Sequence, residues 1–108
     1  MQRLVLAILA LLAAASPSIG QSDAARLKRA ETLLARHCGG CHAVGRVGAS
    51  KHRLAVPLRE LSRNYAVDSL QEALAEGLIS GHPDMPEFKF APDDVGAIID
   101  YLKSIQVR

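Results

Sequence analysis

Five consecutive residues, Cys38-Gly39-Gly40-Cys41-His42, concentrate the chemistry of this 108-residue chain. On a helical turn, residues three and four apart share a face. Cys38, Cys41 and His42 can therefore act together on one planar partner, and Gly39 and Gly40 add no bulk between the cysteines. A Cys-x-x-Cys-His run is the attachment signature of c-type haem. The two thiols reach vinyl groups along one porphyrin edge and form thioethers, while the histidine is carried under the ring to coordinate iron. Two other readings weigh less. A thioredoxin-like disulfide belongs with a βαβ pattern, which is missing here. A structural zinc site needs further ligands at a matching spacing, and His37 and His42 crowded beside the cysteines do not provide it. The expectation is one haem c, covalently attached through Cys38 and Cys41, with His42 as proximal ligand.

The sixth iron position then sets the function. Haem held by His and Met suits electron transfer, whereas an open position admits O₂, peroxide or other small ligands. Beyond the N-terminal segment the chain has one methionine, Met85, 43 residues after His42 and bracketed by Pro83 and Pro86. Two prolines brace a loop that must hold a ligand at fixed distance through a redox cycle. A methionine filling a core gap is the bland alternative, but a polar, proline-bracketed loop is a poor place for one. His82 is the rival ligand and would give bis-His iron. His37 and His52 are expected to face solvent.

These residues need elements to position them. Residues 1–20 carry Arg3, an unbroken apolar run from Leu4 to Ala15, then Ser16-Pro17-Ser18-Ile19-Gly20. This is the pattern of an export signal cleaved after Gly20, and the run is short for a membrane span. The expected domain is residues 21–108, in the periplasm. It holds four aromatics (Tyr65, Phe88, Phe90, Tyr101) and no tryptophan. A domain that small usually needs a cofactor, metal or disulfide to complete its core.

Leu27, Ala30, Leu33 and Leu34 mark a first helix opened by Ser22 or Asp23. The stretch 43–56 lacks a period and reads as loop. Residues 57–64 suit a short helix with Leu58 and Leu61 inward. Asp68 and Gln71 form a capping-box pattern before a helix that buries Leu70, Ala73 and Leu74 and ends at Gly77. A last helix starts at Pro92 with Asp93 and Asp94 in its first turn, and Val95, Ile98, Ile99, Leu102 and Ile105 recur at helical spacing. No segment alternates with period two, so the fold class is all-α. Charge is uneven: residues 21–63 carry a net +6 and residues 64–108 a net −5. If the halves separate in space, the molecule is dipolar and can orient a charged partner; otherwise these charges make an ordinary mixed surface. With no basic run interleaved with aromatics, nucleic acid is not an expected partner.

Cys38 to His42, Pro57-Leu58, Met85-Pro86-Glu87-Phe88 and Tyr101-Leu102 together resemble small monohaem class I cytochromes c of bacteria. The resemblance spans about residues 24–106. It implies small helices wrapped around the haem, with the first and last helices crossing through Ala30 and Leu34 against Ile98 and Tyr101. The family usually has glycine and an aromatic where this chain has Ala30 and Leu34, which implies a slightly looser crossing. Pro57 matches the proline whose carbonyl accepts the Nδ1 proton of the proximal histidine. Arg46, Lys51, Arg53 and Tyr65 are candidates for the haem propionates by charge or hydroxyl.

The functional expectation is an exported, monomeric one-electron carrier of a respiratory chain, not an enzyme, with redox proteins as partners and no stable membrane insertion after cleavage. No nucleophile–base pair or carboxylate pair suggests catalysis. Two alternatives stay open: a haem subunit bound to a dehydrogenase or oxidase, and a haem protein whose labile sixth ligand yields to peroxide or a small gas.

Overall fold

Ser22 stands in extended backbone and its hydroxyl accepts from the amide of Ala25 at 3.2 Å, which opens helix α1, Asp23–His37. The computed structural model describes residues 22–79 and 81–108; the expected export signal, residues 1–20, lies outside them. Along α1 the apolar stripe buries Ala30 and Leu34, with Leu27 and Leu33 packed half-buried at its margin. Helix α3, Pro92–Ile105, starts on a proline, where the missing N–H costs nothing, and holds Asp93 and Asp94 at the positive end of its dipole. It buries Val95, Ala97, Ile98, Ile99, Tyr101, Leu102 and Ile105, the larger part of the core.

Helices α1 and α3 close on each other tightly: Ala30 and Ile98 both have 0 % exposure. Ala30, where the resemblance usually has glycine, is fully buried at the crossing. Ion pairs bracket it, Arg26 with Asp100 and a two-pronged contact of Arg29 Nε and Nη2 on the Asp94 carboxylate at 2.7 and 3.3 Å. These pairs correct the dipole expectation. Basic residues of the first half meet acidic residues of the second at the crossing, because burial of the two apolar stripes brings their flanking charges together.

Between the long helices lie a 3₁₀ helix, Leu58–Arg63, burying Leu58 and Leu61, and a 3₁₀ turn, Val67–Ser69, leading into α2, Leu70–Glu76. The expected capping box is not made. The turn starts earlier, on Ala66, whose carbonyl accepts both the amide and the hydroxyl of Ser69 at 3.0 and 2.6 Å. Asp68 instead reaches Lys103 of α3 at 3.1 Å. Leu74 is buried and Leu70 half-buried as expected, but Ala75 rather than Ala73 packs on the core. Gly77 ends α2 with φ of 127°, and a side chain there would meet Glu87 Oε1 at 2.2 Å.

Residues 78–79 and 81–91 are irregular, apart from one antiparallel bridge between Leu78 and Phe88. Among the described residues there is no further strand, and the fold is all-α. No helix among them is long and apolar enough to cross a membrane. Past α3 the chain turns back: Gln106 Nε2 donates to the carbonyls of Leu58 and Leu102, both at 2.8 Å, and its Oε1 accepts from Ser62 N at 2.9 Å.

Candidate haem-attachment site

The motif is an extra turn on the end of α1. Cys38 caps the helix, its amide donating to Leu34 O at 2.7 Å, and the His42 amide closes back on Cys38 O at 2.8 Å. The chain turns here because Gly39 passes against α1: a Cβ at 39 would sit 2.4 Å from Ala35 O. Gly40 meets nothing within 4 Å. The two glycines that look equivalent in sequence thus differ, one fixed by backbone contact and one free. Both thiols are unbonded and half-buried, and burial pushes Cys38 up to about 11, so it is a neutral thiol near neutral pH.

Hydrogen bonds close the 43–56 loop on itself and tie it to this turn, to the 3₁₀ helix and to α3. Ala43 N donates to Ser50 Oγ (3.0 Å), His52 N to Cys41 O (3.1 Å) and Leu58 N to Ala43 O (2.9 Å). Tyr101 of α3 donates its hydroxyl proton to Val44 O at 2.8 Å, and His42 Nδ1 donates to Val56 O at 2.6 Å. The last bond corrects the expectation for Pro57. Its carbonyl is already taken by Glu60 N at 2.9 Å, the bond that starts the 3₁₀ helix, so the proline orients the preceding carbonyl toward the histidine. The consequence for His42 is the expected one: with the proton on Nδ1, the lone pair is on Nε2, where a metal would take it.

The Met85 segment is held from two sides, by α1 and α2 at one end and by the 43–56 loop at the other. At one end, the His37 ring packs against Phe88 and Phe90 at 5.6 and 5.5 Å between centroids, and Phe90 N donates to Leu74 O at 2.9 Å. At the other, His52 Nε2 is 3.3 Å from Asp84 Oδ2 and its ring meets that of His82 edge-on at 5.7 Å. His37 is exposed, as expected, yet from the last residue of α1 its ring packs on Phe88 and Phe90; His52 departs from the expectation, half-buried and facing Asp84. Between these ties Met85, half-buried, sits on a turn closed by its amide on His82 O at 3.1 Å.

These residues fit a haem. Two unbonded thiols, an imidazole with its Nδ1 occupied and a thioether form the donor set such a group needs. A further sign is Arg59, whose Nη1 is buried without a hydrogen-bond partner among the described residues. A guanidinium is the complement of a carboxylate such as a haem propionate. Sequence reasoning missed Arg59, since charge alone could not separate it from Arg46, Lys51 and Arg53, which are exposed, as is Tyr65. Tyr101 and Gln106 were equally invisible as loop anchors, because both bond to backbone atoms far away in sequence.

The family described as cytochrome c oxidase, cbb3-type, subunit III, matches residues 25–102, from the first turn of α1 to near the end of α3. No curated protein and no solved structure matches the chain. The matched range contains the whole attachment turn, the returning loop and the Met85 segment, and the chain belongs to this family of small cytochrome c domains.

Proposed function

We propose that the chain is an exported one-electron carrier in which Cys38 and Cys41 attach a single haem c and His42 and Met85 ligate its iron. Family membership implies haem-based electron transfer, covalently bound haem c and redox proteins as partners; the ligand set, the number of haems and the carrier role are our reading. When bound, haem supplies an iron that alternates between ferrous and ferric states. The chain's part is to hold that iron's surroundings fixed. The Val56 carbonyl orients His42 and raises its basicity, and the bond carries the greatest weight in this reading at 2.6 Å. Pro83 and Pro86 limit the movement of Met85 between oxidation states. Met85 is preferred over His82 because Nδ1 of His82 accepts from Asp84 N at 3.3 Å, which, opposite to His42, leaves the ring proton on Nε2, and the ring also meets His52 edge-on. A soft thioether favours ferrous iron, so the potential should be high compared with bis-His ligation.

The test is an absorption spectrum of the exported protein, oxidised and reduced, with a pyridine haemochrome. A c-type haemochrome with the weak red band of sulfur-ligated ferric haem is expected, and Met85→Ala should abolish the band while leaving the haemochrome. Covalent haem without the band would move the sixth position to His82 or an exogenous ligand.

A second reading has the printed family description behind it, since the family is named for an oxidase subunit. In that case the chain would remain bound to a larger redox protein. Size-exclusion chromatography of the native extract distinguishes them: a carrier elutes alone near its own small mass, a subunit elutes with its partner.

A further inference from the structure

His52 sits where three separate parts of the site meet. Its amide donates to Cys41 O at 3.1 Å, which fixes it to the attachment turn. Its Nδ1 accepts from the amide of Leu54 at 3.1 Å, two residues on in its own loop. That bond requires a lone pair on Nδ1, so the ring proton lies on Nε2. The Nε2–H then faces Asp84 Oδ2 at 3.3 Å, on the residue immediately before Met85. The ring also meets His82 edge-on, on the far side of Pro83. The imidazole is half-buried, its side chain 29 % exposed, so water competes only partly for these bonds.

We propose that His52 is a positioning residue, a neutral strap between the Cys38–His42 turn and the 82–86 turn that sets how firmly Met85 is held toward the iron. The inference rests on the reading of Met85 as sixth ligand. The physical argument is one of a hinge with one end fixed. Phe88 and Phe90 anchor the segment's C-terminal end through the Leu78 bridge, the Leu74 carbonyl and the His37 ring. Met85 lies on the other arm, and for it to swing away from the attachment turn, Asp84 must part from His52. The strap therefore stabilises the closed arrangement over the open one by the worth of that bond. An incoming ligand has to overcome the same difference. Because Asp84 is 68 % exposed, one bond's worth is modest, about a fivefold change in the open population.

The experiment uses the haem-loaded protein and reads imidazole binding to ferric iron, followed by loss of the red sulfur band. Wild type, His52→Ala, Asp84→Ala, the double variant and His52→Gln are compared. His52→Ala and Asp84→Ala should each tighten imidazole binding about fivefold, with the double variant no tighter than His52→Ala, because the bond between the two segments is already lost there. His52→Gln, whose amide N–H can donate to Asp84, should recover most of the wild-type affinity. Amide hydrogen exchange at residues 84 and 85 should rise in His52→Ala, while exchange at Phe90 stays unchanged. A wild type with the band whose imidazole affinity is unmoved in His52→Ala, or a double variant in which the two effects add, overturns the strap. A wild type without the band overturns Met85 ligation, and with it this inference; the two failures are thus told apart by the unmodified protein.

Discussion

Gly39 shows how much one hydrogen atom decides. The attachment turn lies so close to the last turn of α1 that a methyl at position 39 would lie 2.4 Å from Ala35 O, a backbone atom that cannot move aside alone. Position 40 opens onto space. Gly39→Ala should therefore destabilise the domain by roughly 1–3 kcal/mol, the usual cost of forcing atoms into a packed site. Gly40→Ala should leave the melting temperature within a few degrees. Thermal unfolding of the haem-loaded variants, followed by circular dichroism, checks both. Equal effects would mean the thioether spacing, and not contact with α1, constrains both glycines.

At the level of elements, the end of α3 is stitched to the 3₁₀ helix by a single side chain. Gln106 gives two hydrogen bonds and accepts one, joining Leu102 to Leu58 and Ser62, and Val107 N adds a backbone bond to Arg59 O at 2.9 Å. The 3₁₀ helix in turn follows directly on the Val56 carbonyl that orients His42. Gln106→Ala leaves partly buried carbonyls unmatched and should cost about 1–2 kcal/mol, lowering the melting temperature by roughly 5–10 °C. If the link to His42 is real, the potential of the haem should shift as well; an unchanged potential with lowered stability would confine Gln106 to a packing role. The ion pairs across α1 and α3 are a weaker tie. Arg29 is exposed, Asp94 holds its guanidinium pKa up, and salt screens such contacts.

Across the whole molecule, Tyr101 joins the C-terminal helix to the loop that follows the proximal histidine. Burial raises its phenol above the ordinary value of about 10, and the Glu31 carboxylate adds to the shift. Below that value the folded and unfolded chains both keep the proton and stability does not depend on this group. As pH rises past about 10 the unfolded chain ionises first, so the fold loses stability up to the raised folded value. Tyr101→Phe should be less stable than wild type at neutral pH, having lost the bond to Val44 O, and should show a shallower decline above pH 10. Unfolding midpoints at pH 7, 9, 10 and 11 test this; parallel curves for the two proteins would assign the alkaline decline to another group.

Read from the residues alone, the family's Cys-x-x-Cys-His motif, the all-α class and the two long helices were already legible. Each of these rests on local spacing: Cys38, Cys41 and His42 within one turn, and apolar stripes repeating along α1 and α3. What the sequence could not determine were matters of distance between segments. Asp68 looked like a cap and reaches Lys103 instead; Pro57 looked like the acceptor for His42 and its carbonyl starts a 3₁₀ helix. The opposed charges of the two halves looked like a dipole and meet in pairs at the helix crossing. His52 looked like a surface residue and is half-buried against Asp84, beside Met85, while His37 is exposed as it looked but packs its ring on Phe88 and Phe90. A side chain's type limits the bonds it can make, but which partner it finds is settled when burial of the apolar stripes brings remote backbone carbonyls and charges within about 3 Å.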